Sequence, residues 1–421
     1  MENGEVTSLA MGDVWCYLRL RYEMISTTSM QNKGHAMYDA LVIGGGIVGM
    51  ATAYHLVGAG ANTLLIDRAD SGRATDAGAG ILSPETNSRD PDSWFNFAIE
   101  AVTYYPTLIQ QLQADQEHDT GYARCGMLTV AVSADEREPF EQAQRLILAR
   151  QERRGLPSAD ELYVVSASEA QQMFPALTTV VYGAIYYRDA ARVDGRLLNR
   201  ALQEAAIHRG LTIKHASVDR LIIENHAVTG VIADGETLLA GKTAIAGGAW
   251  SQAFGAQLGV EIPVAPQRGQ IIHLGLPGTD TSGWPIINAF RGHYMVPWPD
   301  SRVVVGATRE TGSGFHPHTT AAGIHEVLGE ALRVAPGLAQ GEIRDIRVGL
   351  RPLTIDTMPV LGTVPGVQDI FLVTGHGPTG LTLGPYSGKV VAEMILGRES
   401  TADIAAFHVS RFASGGTATP R

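Results

Sequence analysis

The chain has 421 residues, enough for two or three domains with a cleft between them. Hydrophobic residues make up 45% and charged residues 18%, which excludes a disordered chain, and the net charge of −11 excludes a nucleic-acid backbone as a natural partner. Two cysteines, Cys16 and Cys125, without a CxxC pair provide neither a disulfide framework nor a cysteine metal cage and fit a reducing, cytoplasmic setting.

Residues 1–36 carry Arg19, Arg21 and Lys33 but no apolar run ending in a small-residue cleavage site, so they read as an appendage, a tail or a mis-assigned start, with the fold beginning at Met37. Residues 40–66 hold no charged side chain and are long enough on paper for a membrane helix. Gly44, Gly45, Gly46, Gly49, Gly58 and Gly60 break that run into a βαβ unit. The first strand ends in Ile43, and Gly44-Gly45-Gly46-Ile47-Val48-Gly49 follows as GxGxxG. Gly44 suits the tight turn, and Gly46 lets the N–H groups of the helix start at Ile47 and Val48 approach a pyrophosphate. Gly49 lets helix and strand pack closely. A second strand over residues 62–66 ends in Asp67, 18 residues beyond Gly49, the separation expected of a carboxylate that accepts hydrogen bonds from ribose. The unit predicts dinucleotide binding. The chain then departs through Arg68 into Ala77-Gly78-Ala79-Gly80-Ile81-Leu82, whose small start suits a backbone packed along a flat ring and favours FAD over NAD.

Residues 136–154 place Phe140, Ala143, Leu146, Ile147 and Arg150 at helical spacing, an amphipathic scaffold. Asp194 caps a helix with Leu197, Leu198, Ala201, Leu202 and Ala205 on one face, ended by Gly210. Strand-like runs follow at 221–223, 228–232 and 243–246. His316-Pro317-His318 resembles a metal pair, but the proline breaks helical i, i+4 geometry, so no metal is expected. Near the C-terminus a strand over 370–374 runs into Gly375-His376-Gly377-Pro378-Thr379-Gly380, which opens a helix through Leu381. This second GxGxxG is followed by no strand-acid pair. It offers a helix start suited to stabilising negative charge.

Taken with Ala246-Gly247-Gly248-Ala249-Trp250-Ser251, Pro266-Gln267-Arg268-Gly269-Gln270 and Gly349-Leu350-Arg351-Pro352, these segments resemble the D-amino acid oxidase superfamily of flavoproteins, and most of all its glycine oxidase and D-amino acid dehydrogenase branch. The resemblance spans roughly residues 37–400 in the family's order. It implies an α/β fold: a Rossmann-like FAD-binding domain with a second, antiparallel-sheet (α+β) substrate domain, discontinuous in sequence. Residues 37–90, 180–255 and 346–400 would form the FAD domain, 91–179 and 256–345 the substrate domain, 1–36 an N-terminal extension and 401–421 a C-terminal tail. It further implies that Val218 contacts adenine, and that Gly247, Gly248, Trp250 and the segment from Gly375 through Thr382 contact the cofactor. A substrate carboxylate needs a bidentate cation. The resemblance gives that role to Arg351, beside the flavin, with Tyr294 donating to the same carboxylate.

The implied reaction is oxidative deamination of glycine or a D-amino acid: the alpha hydrogen leaves as hydride to flavin N5, and the imine hydrolyses to a 2-oxo acid and ammonia. A secondary amine such as sarcosine or a D-proline derivative is the alternative, and a noncatalytic flavoprotein module a third reading. Two departures matter. Pro378-Thr379 stands where glycine oxidases carry an arginine, which argues against strict glycine specificity, and no cysteine follows Cys125, so FAD is expected to be held noncovalently unless a histidine makes the link. Oxygen or a quinone as electron acceptor, a peripheral membrane contact for the quinone, and a homo-oligomer stay open.

Overall fold

The N-terminal pattern is realised as β1 (Tyr38–Ile43), α1 (Ile47–Gly58) and β2 (Thr63–Asp67) in the computed structural model, which describes residues 37–88, 91–400 and 402–413. The expectations for residues 1–36 and 414–421 lie outside the described residues. The longer elements that follow are α2 (Asp92–Asp115), β3 (Met127–Ala131), β4 (Gly183–Tyr187), α3 (Gly195–His208), β5 (Thr212–His215) and β6 (Glu236–Ile245). After them come β7 (Val264–Gly275), β8 (Ile286–Ala289), β9 (Tyr294–Trp298), β10 (Arg302–Gly306), β11 (Glu342–Thr354), β12 (Val367–Thr374) and α4 (Gly380–Ile395).

Two sheets organise these elements. In the first, β5, β2, β1, β6 and β12 lie side by side and all parallel. Ala40 through Ile43 are buried because a parallel sheet has protein on both faces. One face carries α1, α2, α3 and α4. Asp194 caps α3 as its sequence predicts, accepting from the N–H groups of Arg196 and Leu197. The second sheet runs β11-β7-β10-β9-β8-β3-β4, antiparallel except between β8 and β3. Alternation divides its residues. Ile272, Leu274, Met295, Val303 and Val305 pack on Val327, Ala331 and Val334 of the helix Ala321–Val334, and the opposite face is left for a site.

The sequence partition differs from this arrangement in three places. Helix α2 was assigned to the substrate domain, yet Trp94, Phe97, Ala101, Tyr105 and Leu108 bury in the same cluster as α1 and α4, because its apolar stripe matches that helical layer. Strand β4, and the part of β11 from residue 346 onward, were assigned to the FAD domain but hydrogen-bond within the second sheet. The helix Arg137–Arg154 buries Phe140, Ile147 and Arg150 while Leu146 stays 46% exposed, a narrower inner face than its spacing predicts. Among the described residues no helix is long and apolar enough to cross a membrane.

Candidate active site

The C-terminal ends of β1, β2, β6 and β12 open on one cavity of about 310 Å³, the place where an open parallel sheet takes its ligands. Gly44 follows β1 with φ of +108°, and a Cβ there would lie 2.4 Å from the carbonyl oxygen of Ala246, so glycine is required. Gly46 caps α1 without a side chain, no acid occupies the first turn, and the positive helix end faces the cleft. Ile47 and Val48 line the cleft beside it, the Ile47 N–H donating to Thr75 Oγ1 at 3.0 Å. Gly49 stands behind them, where a Cβ would meet the Gly44 carbonyl; it closes helix onto turn and does not line the cavity.

Asp67 lines the cleft, but its carboxylate is already engaged. It accepts from the Gly45 N–H and, at 2.5 Å, from that of Ala69, with Arg73 Nη1 3.6 Å away. Arg68 pairs with Asp70 at 2.5 Å and lies 5.9 Å from the centre of the Trp250 ring. Val218, Gly247, Gly248 and Trp250 complete this end. Ala77, Gly78, Ala79, Gly80 and Ile81 form the next wall, while the Leu82 side chain turns into the core as strand alternation requires. The final wall comes from His376, Gly377, Pro378, Gly380, Leu381 and Thr382. Gly375 packs against Thr354 and Val360, and the Thr379 hydroxyl turns back to donate to the His376 carbonyl at 2.8 Å, so neither lines the cavity. Helix α4 also starts without an acid or a side-chain cap, a second positive helix end. Burial pushes the His376 imidazole down to about 4, leaving it neutral, with Nε2 3.0 Å from Ser387 Oγ.

The register of the second sheet supplies the opposite wall. Arg351 on β11 faces Gln267 on β7, Gly349 faces Gly269, Ile271 faces Gly306 on β10, and Gly306 faces Tyr294 on β9. Directly opposed residues share a face. Arg351 and Tyr294 therefore emerge on the same side, over glycines that make room for them: a Cβ at 269 would be 2.4 Å from Arg351 Nη2, and one at 306 would be 2.9 Å from the Tyr294 hydroxyl. Gly349 lets β11 approach Ala77, whose Cβ would lie 3.0 Å away. Arg351 Nη1 donates to the Thr308 carbonyl at 2.8 Å and to Gln267 Oε1 at 3.3 Å, and the guanidinium also donates to the Tyr294 hydroxyl. Among the described residues no carboxylate forms an ion pair with it. Burial lowers its pKa, but arginine keeps its proton, so the cleft holds a partly desolvated positive charge. Burial raises the Tyr294 phenol, which stays protonated as a donor.

These features match a known family along most of the chain. Residues 39–394 fit the model of the DAO family, described as FAD dependent oxidoreductase. The chain belongs to that family. The oxidoreductase is 37% identical over 372 residues to the "uncharacterized oxidoreductase YurR" of Bacillus subtilis (strain 168), covering 88% of this chain and 98% of that one. It is 30% identical over 378 residues to a glycine oxidase of Bacillus licheniformis, covering 89% and 97%. Among solved structures, the iminodiacetate oxidase of Chelativorans sp. BNC1 superposes with a TM-score of 0.83 at 38% identity, over 88% of this chain and 98% of that one.

FAD is the family's cofactor, and the cleft fits it: the glycine turn a Cβ would fill, two uncapped helix starts, and a long wall of small residues. Sequence reasoning missed Gly45, Arg73, Thr75 and Arg309, which also line the oxidoreductase's cleft. Gly45 stood inside the GxGxxG itself; its carbonyl accepts from Asn199 Nδ2 at 3.1 Å, a partner 154 residues away that no local spacing announces. Arg309 follows a strand in a segment with no recurring motif.

Proposed function

We propose that this oxidoreductase oxidises the C–N bond of a small amino acid, glycine or a D-amino acid, whose carboxylate is held by Arg351 and Tyr294. The observation that carries this is the partly buried Arg351 guanidinium, without a carboxylate partner among the described residues, beside a protonated tyrosine on the same sheet face. A charge so placed favours an anionic ligand that forks across its N–H groups. FAD, when bound, takes up the two electrons and the hydrogen removed from the C–N bond. Gly44, Gly46, Ile47, Val48 and Asp67 would hold its diphosphate and ribose, Val218, Gly247, Gly248 and Trp250 the adjoining wall, and the segments 77–81 and 376–382 its ring.

The chain's own residues orient and enclose. Arg351 fixes one end of the substrate, Tyr294 donates to the same carboxylate, and the wall of Ala77, Gly78 and Ala79 leaves little polar surface for water beside the C–N bond. Neutral His376 adds no charge there. The imine product takes up water to give a 2-oxo acid and ammonia. A secondary amine is the second reading, favoured by the 38% identity to an iminodiacetate oxidase. Anaerobic titration of the FAD-bound protein with glycine, sarcosine, D-proline and a panel of D- and L-amino acids, followed by admission of air or a quinone, tests both readings. Bleaching of the flavin colour identifies the substrate class, and the rate of its return identifies the acceptor. A yellow protein that none of them bleaches overturns both.

A further inference from the structure

Four arginines line the cleft among the described residues: Arg68, Arg73, Arg309 and Arg351. Arg68 pairs with Asp70, and Arg73 lies within ion-pair distance of Asp67 and Asp76. Arg351 is assigned above. Arg309 forms no ion pair among the described residues; its Nη2 donates to the Gly292 carbonyl at 2.7 Å, which leaves further N–H groups for a ligand. Its position is set at both ends by the residues that would hold the first carboxylate. It directly follows Thr308, whose carbonyl accepts from Arg351, and its guanidinium rests on Gly292, two residues before Tyr294, where a Cβ would lie 3.2 Å from Nη2.

Arg309 thus lines the cleft beside Tyr294 and Arg351, the residues that would hold the first carboxylate. Its charge is felt by both neighbours, pulling down the Tyr294 phenol and the Arg351 guanidinium. Two like charges line one cavity, neither forms an ion pair among the described residues, and Glu310, the carboxylate whose charge Arg351 feels, is itself paired with Arg268, so the pair favours a ligand that brings two negative groups.

We propose that Arg309 is a second carboxylate-binding residue and that the substrate is an amino or imino dicarboxylate, one carboxylate on Arg351 and Tyr294 and the other on Arg309. The inference rests on the reading that Arg351 takes the first carboxylate. Exposure of Arg309 at the cleft rim fits a specificity contact, since the second carboxylate lies farther from the bond that reacts.

Glutarate and butyrate test it on the FAD-bound protein, because they are unoxidisable, amine-free counterparts of substrates with two and with one carboxylate. Binding is followed by the change in flavin absorbance and by calorimetry. Glutarate should bind about tenfold or more tightly, as a charge-assisted hydrogen bond provides. R309Q should bring the two affinities together, and R309K should keep part of the difference. In the unaltered protein the preference should also shrink as salt rises, a readout independent of how R309Q folds. Equal affinities, a preference that survives R309Q, or one indifferent to salt overturns the inference and leaves Arg351 standing. Binding of neither acid overturns the inference and the Arg351 reading together.

Discussion

Arg351 is held by a neutral carbonyl, an amide oxygen and a phenol, none of which balances its charge. Truncating it should therefore weaken carboxylate binding by about 2–5 kcal/mol, as loss of a desolvated charge partner does. In R351Q this reads as a higher KM and a higher Kd for butyrate while the protein stays yellow; unchanged affinity would remove Arg351 from the site. Tyr294→Phe keeps the ring over Gly306 and removes one neutral donor, so the expected loss is smaller, about 1 kcal/mol in the same titration. His376 gives a pH signature. Its folded pKa of about 4 lies below the ordinary 6.5, so the fold favours the neutral ring, and the unfolded chain binds more protons between those values. The stability it contributes is complete above pH 6.5 and is lost as pH falls towards 4, at about 1.4 kcal/mol per pH unit. H376N should flatten that slope in urea titrations at pH 4.5, 5.5 and 6.5; an unchanged slope would show that His376 does not govern it. Residues of this kind differ in how far the sequence announces them. Gly44 and Asp67 stand at fixed spacings within one βαβ unit, whereas Arg309 reaches the cleft only through the pairing of β9 with β10, which local pattern does not encode.

Elements were legible where their signal is local. β1, α1, β2 and the cap of α3 follow from glycines, caps and apolar periods within about 30 residues. The partition of α2 and β4 was not, because a helical stripe or a short strand is compatible with either layer until long-range contacts choose. The contact between α1 and α4 is one such choice. A Cβ on Gly388 would lie 2.7 Å from the Thr52 nitrogen and 2.9 Å from the Val48 carbonyl, so the helices touch backbone to backbone. Both helix starts border the cleft. Gly388→Val should force them apart, with a cost of about 1–3 kcal/mol from overpacking and a lower content of bound flavin. Thermal melting and the ratio of flavin to protein absorbance check this together. Lost stability with full flavin content would mean that the spacing of these helices does not shape the site.

At the scale of the whole molecule, the cores of the two sheets are separate clusters, one gathered on the helices beside β1 and the other under the helix Ala321–Val334. What lies between them is the cleft, bordered on one side by glycine turns and helix starts and on the other by Arg351, Gly269 and Tyr294. A cofactor filling that space would touch both sheets, bordering the first core at Ile47, Ala246 and Leu381 and lying clear of the second core. Binding to the folded chain alone should then raise stability by mass action, about 2.7 kcal/mol at a hundredfold excess of FAD over its Kd. The gain should also be uneven. In amide exchange on the protein stripped of FAD, protection should fall along β11 and around Gly306, which face the cleft, and persist in β3, whose Leu128 and Val130 lie inside the second core. Restoring FAD should return the lost protection. Uniform loss through both sheets would mean that the second core cannot stand without the cofactor, and the picture of two independent cores joined through a ligand would have to be given up.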